Sequence, residues 1–281
     1  MPRMFIFGLG YTAKIIAREL EMRGWEVIST GREGTLSFDD EGTVRMALAD
    51  ADHVLSSVPP GKESRGEPLD PVLERYGGAL KDRALSYLSS TGVYGDAGGA
   101  WVDETASTGT GRRTARSEAD GEWLERGARV YRLPGIYGPG RSMLERVQEG
   151  RAHRIDLPGQ VFSRIHVEDI AAGVIAGLGA KPGPYNLSDD LPCSQNRVVE
   201  EACNLLGLAP PPLLTLEEAD LSPMALGFYA ENRRVANGKA KRVLGWRPRY
   251  PDYAAGLRAL KATMSPAIAS TAPAAATGVQ R

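Results

Sequence analysis

Short apolar runs alternate with amphipathic stretches through the first half of the chain. Residues 4–7 form an apolar run, and 11–23 follow with helical spacing. The pattern repeats: strands are predicted at 25–30, 35–38 (brief), 53–58, 85–90 and 128–133, and helices at 41–49, 70–80 and 116–126. Pro59 and Pro60 stop the run at 53–58, and Pro71 sits in the first turn of a helix, where its missing N–H costs nothing. Strands apolar on both faces, separated by helices, predict an α/β fold with a doubly wound parallel sheet covered on both sides.

Beyond Gly138 the alternation loosens into a loop with Gly and Arg, a short helix near 142–150, a helix at 167–178 that returns to the sheet, and a helix at 195–206 before Pro210-Pro211-Pro212. The expected organisation is a nucleotide-binding domain over 1–138, rejoined by 166–190. A smaller substrate-side subdomain spans 139–165 and 191–262. From about Thr263 the chain turns to Ala, Thr, Ser and Pro without charge until Arg281, which reads as a disordered tail.

Composition narrows the choice of partners. In 281 residues, 34 Lys and Arg balance 35 Asp and Glu, and the net charge of −1 gives no electrostatic footprint for nucleic acid or an anionic membrane. No apolar run approaches the roughly 18 residues of a membrane span, and Pro2 and Arg3 lead straight into a strand, so a cytoplasmic protein is expected. Cys193 and Cys203 lack metal-ligand spacing and read as core thiols; no metal is expected. The partner is then a small molecule, met by a monomer or homodimer.

Gly8-Leu9-Gly10 lies between the first strand and the first helix. There the first glycine permits a sharp turn, the second lets backbone approach a pyrophosphate, and the helix offers free N–H groups to the anion. Ala13 stands where a third glycine is usual. The second strand ends at Gly31-Arg32, where an NAD site usually places an acid for the ribose 2′-hydroxyl; an arginine suits a 2′-phosphate, as in NADP. Ligands of an open parallel sheet sit beyond the carboxyl ends of its strands. Those ends carry Ser57-Val58-Pro59, then Ser89-Ser90-Thr91-Gly92-Val93-Tyr94-Gly95, then Arg132-Leu133-Pro134-Gly135-Ile136-Tyr137-Gly138-Pro139-Gly140.

These last two runs, with Arg164-Ile165-His166-Val167-Glu168-Asp169-Ile170-Ala171, resemble the NAD-dependent epimerase/dehydratase family of extended short-chain dehydrogenases/reductases. Gly8-Leu9-Gly10-Tyr11-Thr12, Tyr185-Asn186-Leu187-Ser188-Asp189 and Leu244-Gly245-Trp246 extend the resemblance to about residue 260. It implies a Rossmann fold holding a dinucleotide, and Arg32 makes NADP the expected cofactor, with NAD possible. The cofactor contacts expected are Gly8, Gly10, Tyr11, Thr12, Arg32, Ser57, Val58, Pro59, Ser89, Arg116, Pro134 and Ile136, and the resemblance implies a hydroxyl on the reacting oxygen, by position that of Ser90 with Thr91 adjacent.

The family's Tyr-x-x-x-Lys pair is missing: none of the ten tyrosines has Lys four residues later. The matching stretch offers Arg112 and Arg116 instead, and arginine cannot act as the acid because it stays protonated. Tyr94 is the nearest substitute by sequence, provided that its hydroxyl acidity is raised. Tyr137, Arg141, Arg164 and His166 read as architecture, and His53 and His153 have no visible triad or metal partner. Two functions fit. One is an NADP(H)-dependent oxidoreductase or epimerase/dehydratase acting on a small carbonyl or hydroxyl compound, sugar-like or not. The other is a protein that holds NADP(H) without turnover, as a redox sensor or scaffold.

Overall fold

The computed structural model describes residues 1–61, 70–111 and 114–264. In chain order these hold β1 (Arg3–Phe7), α1 (Tyr11–Glu21), β2 (Glu26–Ser29), α2 (Glu41–Ala49), β3 (His53–Ser56), α3 (Pro71–Tyr76), β4 (Ala84–Ser90), β5 (Trp101–Val102) and α4 (Thr114–Glu125). There follow β6 (Arg129–Leu133), β7 (Gly135–Tyr137), α5 (Met143–Gln148), β8 (Arg154–Ile155), β9 (Arg164–His166), α6 (Val167–Ala176), β10 (Gly183–Asn186) and α7 (Gln195–Leu206). The last are β11 (Leu213–Leu214), α8 (Pro223–Tyr229), β12 (Arg234–Val235), α9 (Gly238–Val243) and α10 (Tyr253–Thr263).

Six strands form one parallel sheet in the order β10-β6-β4-β3-β1-β2. The chain moves outward from β1 to β2, then crosses back to β3 on the other side, so the order reverses between β1 and β3. That reversal opens a crevice at the carboxyl ends of the strands. The expected strand at 35–38 is reduced to a single bridge between Thr30 and Leu36. Thr35 explains the shortening, because its hydroxyl folds back to the backbone of Ser29 and makes the segment a turn. The expected tail lies almost wholly outside the described residues.

Two apolar layers sandwich the sheet. On one face Ile6, Leu55, Tyr131 and Leu133 pack with Ile16 and Leu20 of α1 and Val174 of α6. On the other, Phe7, Val54, Tyr87 and Val130 meet Val44 of α2, Leu73 of α3 and Trp123 of α4. Trp123 stacks on Tyr87 with centroids 5.3 Å apart and donates its indole N–H to Asp70, which also caps α3. A third cluster joins Tyr137, Leu144, Val199, Cys203 and Leu257, tying α5, α7 and α10 into a cap over the crevice mouth. Cys193 and Cys203 are buried free thiols. Among the described residues no helix is long and apolar enough to cross a membrane.

A candidate dinucleotide and substrate cleft

The glycine turn is held by its neighbours, and its open side is left to solvent. Gly8 has φ +82°, and a Cβ there would stand 3.0 Å from both Ser57 Oγ and Val58 Cγ2, so only glycine fits. Thr30 accepts from Gly8 N–H at 3.2 Å and, through its carbonyl, from Leu9 N–H at 2.8 Å. Ser57 Oγ donates to the Gly8 carbonyl and joins the ends of β1 and β3. Gly10, by contrast, begins α1 at φ −84°, and a Cβ there would meet nothing within 4 Å. No side chain caps α1, whereas Asp40, Asp70 and Asp252 cap α2, α3 and α10. The first N–H groups of α1 therefore remain available to an anion.

A cleft of about 1190 Å³ runs from this turn along the strand ends to the helical cap. Single small-molecule sites usually occupy roughly 300–1,000 Å³, so the space admits part of a dinucleotide together with a substrate. Gly10, Tyr11, Thr12, Ser57, Ser89, Ser90, Thr91, Arg116, Pro134 and Ile136 all line it. Gly8 and Val58 brace the turn from beneath, Pro59 is exposed outside the wall, and Arg32 is exposed at the end of β2. Gly31 packs against the backbone of Leu9, which sets Arg32 beside the turn. Lys14 and Glu33 pair at 2.5 Å on the same side.

Two neighbouring serines have opposite hydrogen-bonding roles. Ser89 donates to Asp120 at 2.6 Å, leaving only lone pairs for a ligand. Ser90 accepts from Gly92 N–H at 3.1 Å, so its own O–H is not spent on that bond. Asp120 is in turn gripped by Arg132 at 2.7 and 3.1 Å, an ion pair almost wholly removed from water. Arg116, one helical turn before Asp120, donates to the Tyr87 hydroxyl at 2.7 Å and forms part of the cleft wall. Arg112, its expected companion, lies outside the described residues.

Tyr94 does not fill the role of acid. It is 3% exposed and absent from the cleft wall; its hydroxyl donates to Asn186 at 2.7 Å and accepts from Arg132 at 3.0 Å. Burial also raises its pKa, the opposite of what an acid near neutrality needs. The physical reason is the 3₁₀ turn Thr91–Tyr94, which swings the ring away from the crevice and under β6 and β10.

The outer half of the cleft is a surprise to sequence reasoning. Tyr137, Arg141 and Arg164, expected as architecture, line it, joined by Arg146, Arg151 and Arg233. His166 does serve architecture: its Nδ1 accepts from Glu168 N–H at 3.3 Å and caps α6, with the ring against Tyr137 and Tyr250. Phe162 and Tyr229 meet edge-to-face at 5.5 Å and give this half an apolar wall. Tyr137 and Arg164 lie in runs that carry the family resemblance, but Arg146, Arg151, Tyr229 and Arg233 lie in none, and nothing in the sequence marks those four except the density of arginine between 141 and 164, which takes in Arg146 and Arg151. Among the described residues no cluster of His, Cys, Asp and Glu could hold a metal.

A parallel sheet with its crevice at the reversal point, a glycine turn beneath an uncapped helix and hydroxyls at the next strand ends define a Rossmann-type α/β fold. No family model matches the chain. It aligns with a functionally unknown conserved protein from Silicibacter pomeroyi at 40% identity and TM-score 0.80, covering 93% of this chain and 99% of that one. This chain belongs to the same family as that protein. The human epimerase family protein SDR39U1, solved with NADPH, shares the fold at 17% identity and TM-score 0.73, over 93% of this chain and 100% of that one. Over 140 residues the chain is 29% identical to a 3-diazoavenalumate denitrifying reductase from a Streptomyces species; the match spans 46% of this chain and 45% of that protein.

Proposed function

We propose that this protein is an NADP(H)-dependent oxidoreductase acting on a small carbonyl or comparable hydride-accepting compound. The observation that carries the reading is the open face at Gly10, continuous in one cleft with Ser89, Ser90 and Arg116. The bound nicotinamide supplies hydride exchange. The α1 N-terminus and Gly10 backbone would hold the pyrophosphate, and Arg32 would meet the 2′-phosphate of NADP. Ser89, fixed as an acceptor by Asp120, suits a carboxamide N–H. Ser90 suits polarisation of the substrate oxygen through its O–H, and Arg116 suits the ribose hydroxyls, which need a donor rather than an acid. The reductase named among the relatives and the neighbour solved with NADPH support hydride chemistry.

A second reading, a protein that holds NADP(H) without turnover, is favoured by the engagement of Tyr94 and the missing Tyr-x-x-x-Lys pair. The test begins with thermal stability under saturating NADPH or NADH. Binding at about 100 times Kd adds roughly 2.7 kcal/mol, and at 2–4 °C per kcal/mol the melting temperature rises by several degrees. NADPH consumption with a panel of aldehydes and ketones then follows for the wild type, Ser90→Ala and Tyr94→Phe. A fall in kcat of about 100-fold in Ser90→Ala with unchanged NADPH affinity supports the enzyme. Binding without turnover of any carbonyl supports the second reading, and no thermal shift overturns both.

A further inference from the structure

The outer half of the cleft carries more positive charge than its own carboxylates balance. Arg164 is 8% exposed, and its guanidinium donates to the carbonyls of Phe162 at 2.9 Å and Cys193 at 3.2 Å and to the side chain of Gln195 at 2.8 Å. All of these partners are neutral. A buried cation without an anion costs several kcal/mol relative to water, so its persistence needs a reason. Asp189 lies within electrostatic reach, but burial pushes its carboxyl up to about 8. Among the described residues Arg164 forms no ion pair, with Asp189 or with any other carboxylate.

Arg146, exposed on α5, forms no ion pair with the described residues, because the neighbouring Glu145 is spent on Ser142 and the Gly140 N–H in a capping box. Both arginines act electrostatically on the hydroxyl of Tyr229. Both line the cleft with Tyr229 and Phe162, and the Arg164 guanidinium carbon lies 5.9 Å from the centroid of the Phe162 ring, which packs edge-to-face on Tyr229. A guanidinium pair over an aromatic wall matches a compact molecule with an anionic end and an apolar body.

Building on the oxidoreductase reading, we propose that the substrate carries a terminal anion, a carboxylate or a phosphate monoester, received between Arg146 and Arg164 at Tyr229 with its apolar body against Phe162. Arg164 stays charged at any accessible pH and supplies planar donors to two oxygens at once. Arg146, at the rim, strengthens capture and adds dependence on salt.

The probes are 4-formylbenzoate, 4-formylphenyl phosphate, the neutral methyl 4-formylbenzoate and UDP-glucose, each titrated calorimetrically with the full chain, with and without NADPH. The expected result is that at least one anionic aldehyde binds about tenfold or more tightly than the neutral ester. Arg146→Gln and Arg164→Gln each reduce that preference severalfold at unchanged NADPH affinity, and Arg164→Lys restores part of it. Whichever anion binds more tightly identifies the end group. Because Arg164 also ties down Phe162 and Cys193, the exposed Arg146 variant keeps the test valid if Arg164→Gln fails to fold. Equal binding of ester and acid, absence of binding by both anions, tighter binding of UDP-glucose than of either, or a preference that survives both variants overturns the proposal. NADPH binding is read separately, so loss of the cofactor reading leaves the anion preference of the free protein measurable.

Discussion

The two halves of the cleft are built from different materials. The inner half is mainly backbone, a glycine turn at φ +82° and an uncapped helix start, with short strand-end hydroxyls beside them, each within a few residues of the end of a sheet strand. The outer half is side chain, assembled from β7, β9, α5, α8, α10 and the loops between them, segments far apart along the chain. Backbone recognition suits a ligand common to many proteins, because geometry alone provides it. Side-chain recognition is set by charge and shape, so the arginines and aromatic rings of the outer half confer individuality.

The largest test of this contrast targets the buried pair beneath the inner half. Asp120→Ala leaves Arg132 buried and uncompensated, which costs about 3–5 kcal/mol. At 2–4 °C per kcal/mol the melting temperature should fall by about 10 °C, measurable by calorimetry. Ser89 is released at the same time, so cofactor affinity should also drop.

Gly10→Val separates binding from folding. Its φ of −84° suits any residue and its Cβ meets no protein atom, so the melting temperature should hold within about 2 °C. The added side chain points into open space where a dinucleotide would lie, and NADPH affinity should fall by about 100-fold in a titration of cofactor fluorescence. Retained affinity would end the backbone account of the inner half.

Asp189 tests the outer half through pH. Its folded pKa is raised to about 8, so the folded state keeps a proton that the unfolded chain loses near the usual carboxylate value. Its stabilising effect is complete below about pH 4 and is lost progressively as pH rises to about 8. Asp189→Asn should flatten this decline. Its melting temperature relative to wild type should climb by several degrees between pH 5 and pH 8 in paired thermal scans. A constant offset across that range would place the carboxyl in an ordinary ionised state.

The smallest effect is expected at the exposed Arg32. Arg32→Gln should lower the preference for NADPH over NADH by about tenfold, or about 1.4 kcal/mol, without changing NADH affinity. An equal loss for both cofactors would mean that Arg32 meets a phosphate common to them.

The sheet, the glycine turn and most of the inner half are legible in the chain. Strand periodicity, the helix after Gly10 and hydroxyls at the strand ends are local signals, written within a few residues of where they act. The segment at 35–38 escaped that logic because one Thr35 hydroxyl competed with the sheet for the Ser29 backbone. The places of Tyr94 and of the arginines depend on long-range packing. Tyr94 follows the hydroxyl run as an acid would, yet Asn186 and Arg132, 92 and 38 residues away, capture its hydroxyl. Arg164 looked like a strand residue before a helix, and it became a buried cation in a cleft wall because Cys193 and Gln195 fold back to hold it. Chain pattern fixes which backbone groups are left unpaired at a turn; the balance of charge at a site depends on which distant groups are buried beside it, and that is settled only by packing.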